Sequence, residues 1–131
     1  GSRVPAHAVA MGRIQLAALD ERELRKRVMG MPLHSFTSRT ITDRNVLLER
    51  IIAEGKRGWS LVDREFDEGI SGIAMPIRGR NGEVMAAANL SLKPEQVAQE
   101  KVVEKLRVNL VELVRKVEGI ARNRTDGGAG H

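Results

Sequence analysis

The first half of the chain carries apolar residues at the spacing of amphipathic helices. Asp20 with Glu23 fits a capping box at the start of one such stretch, and Thr42 or Asp43 caps another. Gly55 follows the last apolar position of the third stretch and is expected to end it. The pattern therefore predicts helices over residues 6–19, 20–30 and 42–55.

From Trp59 onward the apolar period changes to two, which is typical of strands with one buried face. Such runs predict strands over residues 59–65, 70–77 and 84–91. Asn81-Gly82 lies between the last two runs. This dipeptide is the strongest short signal for a two-residue type I′ turn, in which both residues have positive φ. The second and third strands are therefore predicted to form an antiparallel hairpin.

A long final helix is predicted from Pro94 to about Ala121. Its apolar stripe recurs every three or four residues and comprises Val103, Leu106, Leu110, Val114, Val117 and Ala121. A helix of this length exceeds what a small sheet can cover, which predicts a dimer or higher oligomer. Residues 125–131 are predicted to be a disordered tail. This leaves residues 1–124 as one α+β domain, with helices packed against an antiparallel sheet.

Counting outward from Asn81-Gly82 assigns the hairpin residues to two faces. One face carries large apolar side chains and is predicted to be a core face: Ile73, Met75, Ile77 and Leu90. The other face is small and partly polar: Gly72, Ala74, Asn89 and Ser91. A face with little bulk and a few hydrogen-bonding groups suits the floor of a ligand pocket. An ordinary half-exposed sheet face is the alternative.

Composition narrows the classes of function. The chain has 131 residues, of which 41% are hydrophobic and 30% charged, and this fits one folded domain. It contains no cysteine, so disulfides, thiolate metal sites and cysteine nucleophiles are excluded. Aromatic residues make up only 2%, too few for a base-stacking RNA surface. No apolar run approaches the roughly 20 residues that span a bilayer.

The net charge of +5 raises the question of nucleic-acid binding. Phosphate contacts need clustered basic residues. Here the basic residues, from Arg13 to Arg122, are spread along the chain, and most alternate with acidic residues on the predicted helices. This distribution favours solvated helix faces over a nucleic-acid interface.

No metal, cofactor or catalytic constellation is indicated. His7, His34 and His131 lack metal-ligand spacing, and the chain has no Gly-x-Ser-x-Gly elbow or phosphate-binding loop. The chain is therefore expected not to be an enzyme and to need no cofactor. Two other classes of function stay open. One is an enzyme that uses Ser91 and His7 as nucleophile and base, and the other is an oligomerisation module built on the final helix.

Several segments carry a family resemblance along nearly the whole chain. They are Arg3–Arg13, Thr40–Asp43, Gly58–Glu65, Gly69–Ile77 and Ala86–Ser91. In this order they resemble the blocks of the C-terminal effector-binding domain of IclR-family transcription regulators. The first is similar to the family pattern Arg-x-Pro-x-His/Tyr-x-Thr/Ser-x-x-Gly-Lys/Arg, and the second to its Thr-Ile-Thr-Asp segment. The sequences of these segments are more similar to those of regulators of aromatic-acid and β-ketoadipate pathways than to those of glyoxylate-responsive regulators.

The resemblance implies a GAF-like fold that binds a small organic acid, aromatic in one subgroup. It implies a homodimer or homotetramer in the cytoplasm. Effector binding would allosterically control DNA binding by an N-terminal winged helix-turn-helix. That segment is expected to be absent from this chain. The first helix and strands of the family's sensor domain are also expected to be absent, and no membrane contact is implied.

Carried over position by position, the resemblance gives a set of effector-binding residues. They are Arg3, His7, Ala10, Met11, Asp63, Gly72, Asn89 and Ser91. The first turn of the 6–19 helix would hold the effector's carboxylate, because free N–H groups and the positive end of the helix dipole meet there. The chain departs from the family where Val62 replaces an acidic residue, Gly72 a common Cys, Asn89 a Ser, and Val9 a Thr or Ser.

Overall fold

Three helices, a small sheet and a long final helix follow one another along the chain. The computed structural model describes the backbone of residues 5–129 and the side chains of residues 5–123. The elements are α1 (Ala10–Ala17), α2 (Glu21–Gly30), α3 (Arg44–Arg57), β1 (Ser60–Asp67), β2 (Ile70–Arg78), β3 (Val84–Leu92), α4 (Pro94–Val97) and α5 (Glu100–Ala129). The predicted α+β fold, with an antiparallel sheet and a long C-terminal helix, is confirmed.

The helix caps follow the sequence signals with one exception. Asp20 accepts a hydrogen bond from the backbone N–H of Glu23 at 2.8 Å, as the capping box predicts. Asp43, rather than Thr42, is the N-cap of α3. The predicted end of α3 at Gly55 is wrong. The helix continues to Arg57 and ends at Gly58, whose φ of 87° is the left-handed conformation that glycine adopts most easily.

The first helix begins later than predicted. Residues 5–9 form a turn in which the N–H of Ala8 donates to the carbonyl of Pro5 at 3.0 Å, and α1 starts only at Ala10. This turn folds back onto the helix, because a Cβ on Gly12 would lie 2.6 Å from the Cα of Ala6. His7 therefore lies before α1 and not in its first turn, which corrects the sequence-based placement.

The sheet has the strand order β1-β2-β3, and both neighbouring pairs are antiparallel. The predicted hairpin register is confirmed over most of its length. Gly72 lies opposite Ser91, Ala74 opposite Asn89, and Met75 opposite Ala88. The predicted assignment of residues to two faces therefore holds.

The turn of this hairpin is not the predicted type I′ turn. Gly82 has a φ of 82°, but Asn81 is not in the positive-φ region. The N–H of Gly82 donates to the carbonyl of Gly79, and the N–H of Gly79 donates to the carbonyl of Glu83. The loop is thus longer than two residues, which alone would shift the pairing. Met85 stands as an extra residue on β3, and this bulge restores the predicted register further along the strands.

The sheet lies between α1 on one face and α5 on the other. The predicted core face packs against α5, with Ile73 and Met75 buried beside Leu110 and Val114. The small face packs against α1, where Val62 and Ala74 are buried with Ala10 and Ile14. A separate cluster joins the three N-terminal helices: Leu16, Leu24, Val28, Leu47, Leu48 and Ile51. The small face of the hairpin is therefore roofed by the start of α1.

The final helical region differs from its prediction in two ways. The single helix expected from Pro94 is divided into the short α4 and the long α5. Helix α5 continues to Ala129, so it overlaps the tail predicted over residues 125–131, of which residues 130–131 lie outside the described part. Within the described residues, no helix combines the length and apolarity that crossing a bilayer requires.

Candidate functional site: a cavity between helix α1 and the β2–β3 hairpin

A cavity of about 230 Å³ lies between the start of α1 and the small face of the hairpin. Its roof is the segment from Ala8 to Met11, and its floor is formed by Gly72, Asn89 and Ser91. The remaining lining residues come from β1 and from the start of β2: Val62, Phe66, Ile70 and Ser71. Asn89 and Ser91 are solvent-exposed, so the cavity is open at the β3 edge of the sheet.

The roof presents unpaired backbone donors. Val9 is the N-cap of α1, and its side chain makes no capping hydrogen bond. Helix geometry leaves the N–H groups of Ala10, Met11 and Gly12 without acceptors inside the helix. The first turn of α1 contains no acidic side chain that would neutralise the helix dipole. This end of the cavity therefore favours an anionic group.

The floor owes its shape to a glycine. A Cβ on Gly72 would lie 3.2 Å from the Oδ1 atom of Asn89, so the Asn89 side chain lies across the space that a larger residue would fill. Ala74, next along the same face, is fully buried. The small residues keep the floor low and leave the amide of Asn89 as its main polar group.

The cavity lining contains no ionisable side chain. Its polar side chains are those of Asn89 and Ser91, because the Ser71 side chain points to the other face of the sheet, where its Oγ donates to Asp63. The other lining residues are apolar or glycine. A bound anion would therefore rely on backbone N–H groups rather than on arginine or lysine. Among the described residues, no group of His, Cys, Asp or Glu side chains is arranged to hold a metal ion.

The structure gathers five of the eight predicted effector residues around this cavity: Ala10, Met11, Gly72, Asn89 and Ser91. His7 is buried on the far side of the turn, where its Nε2 atom lies 2.9 Å from the carbonyl oxygen of His34. Arg3 lies outside the described residues. The hairpin register thus brings together the three residues that it placed on one face, Gly72, Asn89 and Ser91.

Asp63 lies on the opposite face of β1 from the cavity. Its neighbour Val62 packs under α1, and adjacent strand residues point to opposite faces. The Asp63 carboxylate accepts hydrogen bonds from Arg64 at 3.0 Å, from Ser71 Oγ at 2.8 Å and from Arg39 at 2.9 Å. The hydrogen bond from Arg64, followed by that from Ser71 and the charges of both arginines, holds the pKa of Asp63 below its ordinary value. This carboxylate joins β1, β2 and the 31–41 segment.

Two features near the cavity were not predicted from the sequence. Phe66 lines the cavity from β1. The chain has only two phenylalanines, and the rarity of this residue type was the one feature of the sequence that could have marked Phe66 as a candidate. Arg13, counted in the sequence among the spread basic residues, is fully buried one turn along α1 from the roof. Its burial was not visible because its acidic partners are remote in sequence.

Arg13 connects three parts of the molecule. Its Nε donates to the carbonyl of His7 at 3.1 Å, and its Nη2 pairs with the carboxylate of Glu65 on β1. Its Nη1 lies 3.7 Å from Oε2 of Glu54 on α3. Glu54 also accepts a hydrogen bond from Ser60 Oγ at 2.7 Å, and burial raises the pKa of its carboxyl above the ordinary value. Arg13 thereby fixes the roof turn relative to β1 and α3.

Comparison with known proteins places these features in a family. A family model described as "Bacterial transcriptional regulator IclR C-terminal" matches residues 1–119. The Pca regulon regulatory protein of Pseudomonas putida is 37% identical over 105 residues, which are 80% of this chain and 36% of that protein. The chain thus spans little more than a third of this relative. These matches confirm the resemblance stated from the sequence.

Two solved structures share the fold and hold ligands. The inducer-binding domain of the PobR transcription factor from Acinetobacter, a double mutant in complex with 3-hydroxybenzoic acid, matches with a TM-score of 0.82 and 26% identity over 90% of this chain and 67% of that chain. An IclR homologue from Microbacterium hydrocarbonoxydans, in complex with 4-hydroxybenzoate, matches with a TM-score of 0.74 and 30% identity over 90% of this chain and 46% of that chain.

Proposed function

Because this chain belongs to the IclR family of bacterial transcriptional regulators and corresponds to their C-terminal domain, we propose that it binds a small aromatic carboxylic acid in the cavity under α1. Binding there controls a DNA-binding segment of the parent regulator, a winged helix-turn-helix in the family, which acts in the cytoplasm. The acid is bound and not turned over.

One observation carries the proposal. A single cavity combines unpaired N–H groups at a helix start with a floor of small residues, and no charged side chain lines it. Its volume of about 230 Å³ lies below the roughly 300–1,000 Å³ of drug-sized sites, so the ligand is small. The carboxylate sits at the N–H groups of Ala10 and Met11, where the helix dipole stabilises it.

The remaining lining residues suit an aromatic ring. Met11, Phe66 and Ile70 offer apolar contacts, and the polar groups of Asn89 and Ser91 lie on the floor. A ring hydroxyl would find hydrogen-bond partners there. The two related structures with hydroxybenzoates bound support this class of ligand.

The test is ligand-dependent stability together with calorimetric binding. 4-Hydroxybenzoate should raise the melting temperature, because a ligand at about 100 times its Kd adds roughly 2.7 kcal/mol to the free energy of unfolding. 4-Hydroxybenzamide is the matched control, since it keeps the ring and lacks the charge. It should bind more weakly. If hydroxybenzoates and dihydroxybenzoates all leave the melting temperature of the folded protein unchanged, the proposal fails.

A role in assembly accompanies this proposal. Leu113, Val117 and Ile120 on α5 are exposed by 55%, 39% and 60%. Apolar side chains in such a row are characteristic of surfaces that another chain covers. We place a homodimer or homotetramer contact of the parent regulator on this part of α5. An oligomerisation module without ligand binding is the second candidate function, and the same three residues favour it.

A further inference from the structure

A second cavity adjoins the one under α1. It has a volume of about 440 Å³ and lies between the roof turn and the 31–41 segment. Its lining is mainly apolar and aromatic: Pro5, Ala6, His7, Met31, Pro32, His34, Phe36 and Phe66. Phe66 lines both cavities, and the roof turn also lies between them, with Ala8 lining the first and His7 the second. We infer that the Phe66 side chain forms part of the wall between them.

The wall is held by aromatic contacts on one side. The Phe66 ring meets Phe36 edge to face, with ring centroids 5.1 Å apart and an interplanar angle of 73°. Phe36 in turn lies 5.8 Å from the His7 ring and is itself 43% exposed. Phe66 also lines the cavity under α1. Replacing this one side chain would therefore join the two spaces without removing a buried core residue.

The backbone of β1 departs from regular strand geometry next to Phe66. The pairing of β1 with β2 is interrupted between Asp63 and Asp67. Arg64 has a φ of 54°, the one positive value among the described non-glycine residues. The carbonyl of Arg64 accepts a hydrogen bond from Thr37 Oγ1 at 2.6 Å instead of joining the regular strand ladder. The segment that carries Phe66 is thus anchored to the 31–41 segment rather than to β2.

We propose that Phe66 is a specificity-determining residue that limits the effector to a single aromatic ring. This inference rests on the proposed function. With its carboxylate at the start of α1 and its hydroxyl over the floor, a one-ring acid lies beside the Phe66 ring. A second ring on the side of Phe66 would enter the space lined by Met31, Pro32 and Phe36, and the Phe66 side chain stands in its way. The second cavity is a blocked extension of the effector site, suited to an uncharged aromatic group.

The test compares 4-hydroxybenzoate with 2-naphthoate and biphenyl-4-carboxylate by calorimetry. Wild type should bind the one-ring acid and bind both two-ring acids at least about tenfold more weakly. Phe66→Ala should bind at least one two-ring acid about tenfold or more tighter than wild type does, while its affinity for 4-hydroxybenzoate falls by less than that factor. The control is Pro32→Ala, which changes the lining of the second cavity at a residue that does not line the cavity under α1, and it should keep the wild-type preference.

The possible results distinguish a failure of the role proposed for Phe66 from a failure of the proposed function. If Phe66→Ala still binds 4-hydroxybenzoate but gains no affinity for either two-ring acid, the role of Phe66 is refuted and the proposed function stands. If wild type binds none of the three acids and no other hydroxybenzoate or dihydroxybenzoate, the proposed function fails and this inference falls with it. If circular dichroism shows Phe66→Ala to be unfolded, Phe66→Val carries the same comparison, because it removes the ring and most of its bulk and places a β-branched residue, which strands favour, on β1.

Discussion

The Oδ1 atom of Asn89 lies 3.2 Å from the position that a Cβ on Gly72 would occupy. The two residues are on neighbouring strands of the hairpin and form the floor of the cavity under α1. A contact this short means that any side chain on Gly72 must displace the Asn89 amide. The depth of the floor and the placing of its main polar group are therefore set by one missing side chain.

Substitution of Gly72 should impair effector binding in proportion to the size of the added side chain, without unfolding the protein. Gly72→Leu would fill the floor, and we expect no detectable calorimetric binding of 4-hydroxybenzoate. Gly72→Ala should weaken binding by about tenfold, because it shifts only the Asn89 amide. Gly30→Ala is the control, since no atom lies within 4 Å of the Cβ that it adds. Unchanged affinity in Gly72→Leu would place the ligand elsewhere.

A negative charge in the first turn of α1 should lower the affinity for the effector and raise the stability of the fold. Met11→Glu puts a carboxylate where we place that of the effector, so affinity should fall by about tenfold or more. The same charge favours the helix dipole and should raise the free energy of unfolding by about 0.3–1 kcal/mol, as measured in urea. Met11→Gln is the neutral control and should change both quantities less. Wild-type affinity in Met11→Glu would argue against a carboxylate at this helix start.

The sequence was sufficient to predict the floor of the site because two departures from its prediction cancel. The hairpin loop is longer than the expected type I′ turn, and the bulge at Met85 compensates for the added length. Gly72, Asn89 and Ser91 consequently share a face as counted. Period-two patterning is a local property, so it survives such changes.

The rest of the site depends on contacts that a local pattern does not contain. Arg13 is buried because Glu65, 52 residues further along the chain, meets it. Phe66 reaches the cavity from a stretch of β1 where the pairing with β2 is interrupted. Asp63, matched through the family pattern, faces away because the cavity-facing position of β1 belongs to Val62. In each case tertiary partners decide which residue of a suitable type points inward.

Loss of Arg13 should destabilise the protein strongly. Arg13→Leu leaves the Glu65 carboxylate buried without its partner, and the expected loss is about 3–5 kcal/mol in the free energy of unfolding. Arg25→Leu is the control, because its ion pair with Glu21 is exposed and such pairs contribute only about 0.2–0.5 kcal/mol. Urea unfolding measures both. A loss below about 1 kcal/mol in Arg13→Leu, the level of an exposed pair, would mean that water reaches Glu65.

The exposed apolar residues of α5 should support self-association. Val117→Glu combined with Ile120→Glu should lower the mass measured by light scattering at micromolar concentration, because the charges cannot be buried between chains. The control is Val108→Glu. Val108 is also exposed and lies on the opposite side of the helix from Val117, about 180° around its axis. It should leave the mass unchanged. A monomeric wild type would refute the proposed assembly of this chain through α5.

Glu54 should make stability depend on pH in a direction set by its burial. Desolvation raises the pKa of this carboxyl above its ordinary value of 4.5, although the Arg13 charge and the Ser60 hydrogen bond act in the opposite sense. The folded state therefore holds a proton that the unfolded state releases, so the free energy of unfolding falls as pH rises from about 4.5 through the raised pKa.

Glu54→Gln keeps an oxygen for the Ser60 hydroxyl and removes the titration. The stability of Glu54→Gln relative to wild type, from urea unfolding, should increase between pH 4.5 and neutral pH. Glu49→Gln, on the same helix but exposed, is the control and should show a smaller change. A difference between Glu54→Gln and wild type that stays constant with pH would show that Glu54 titrates alike in the folded and unfolded chains.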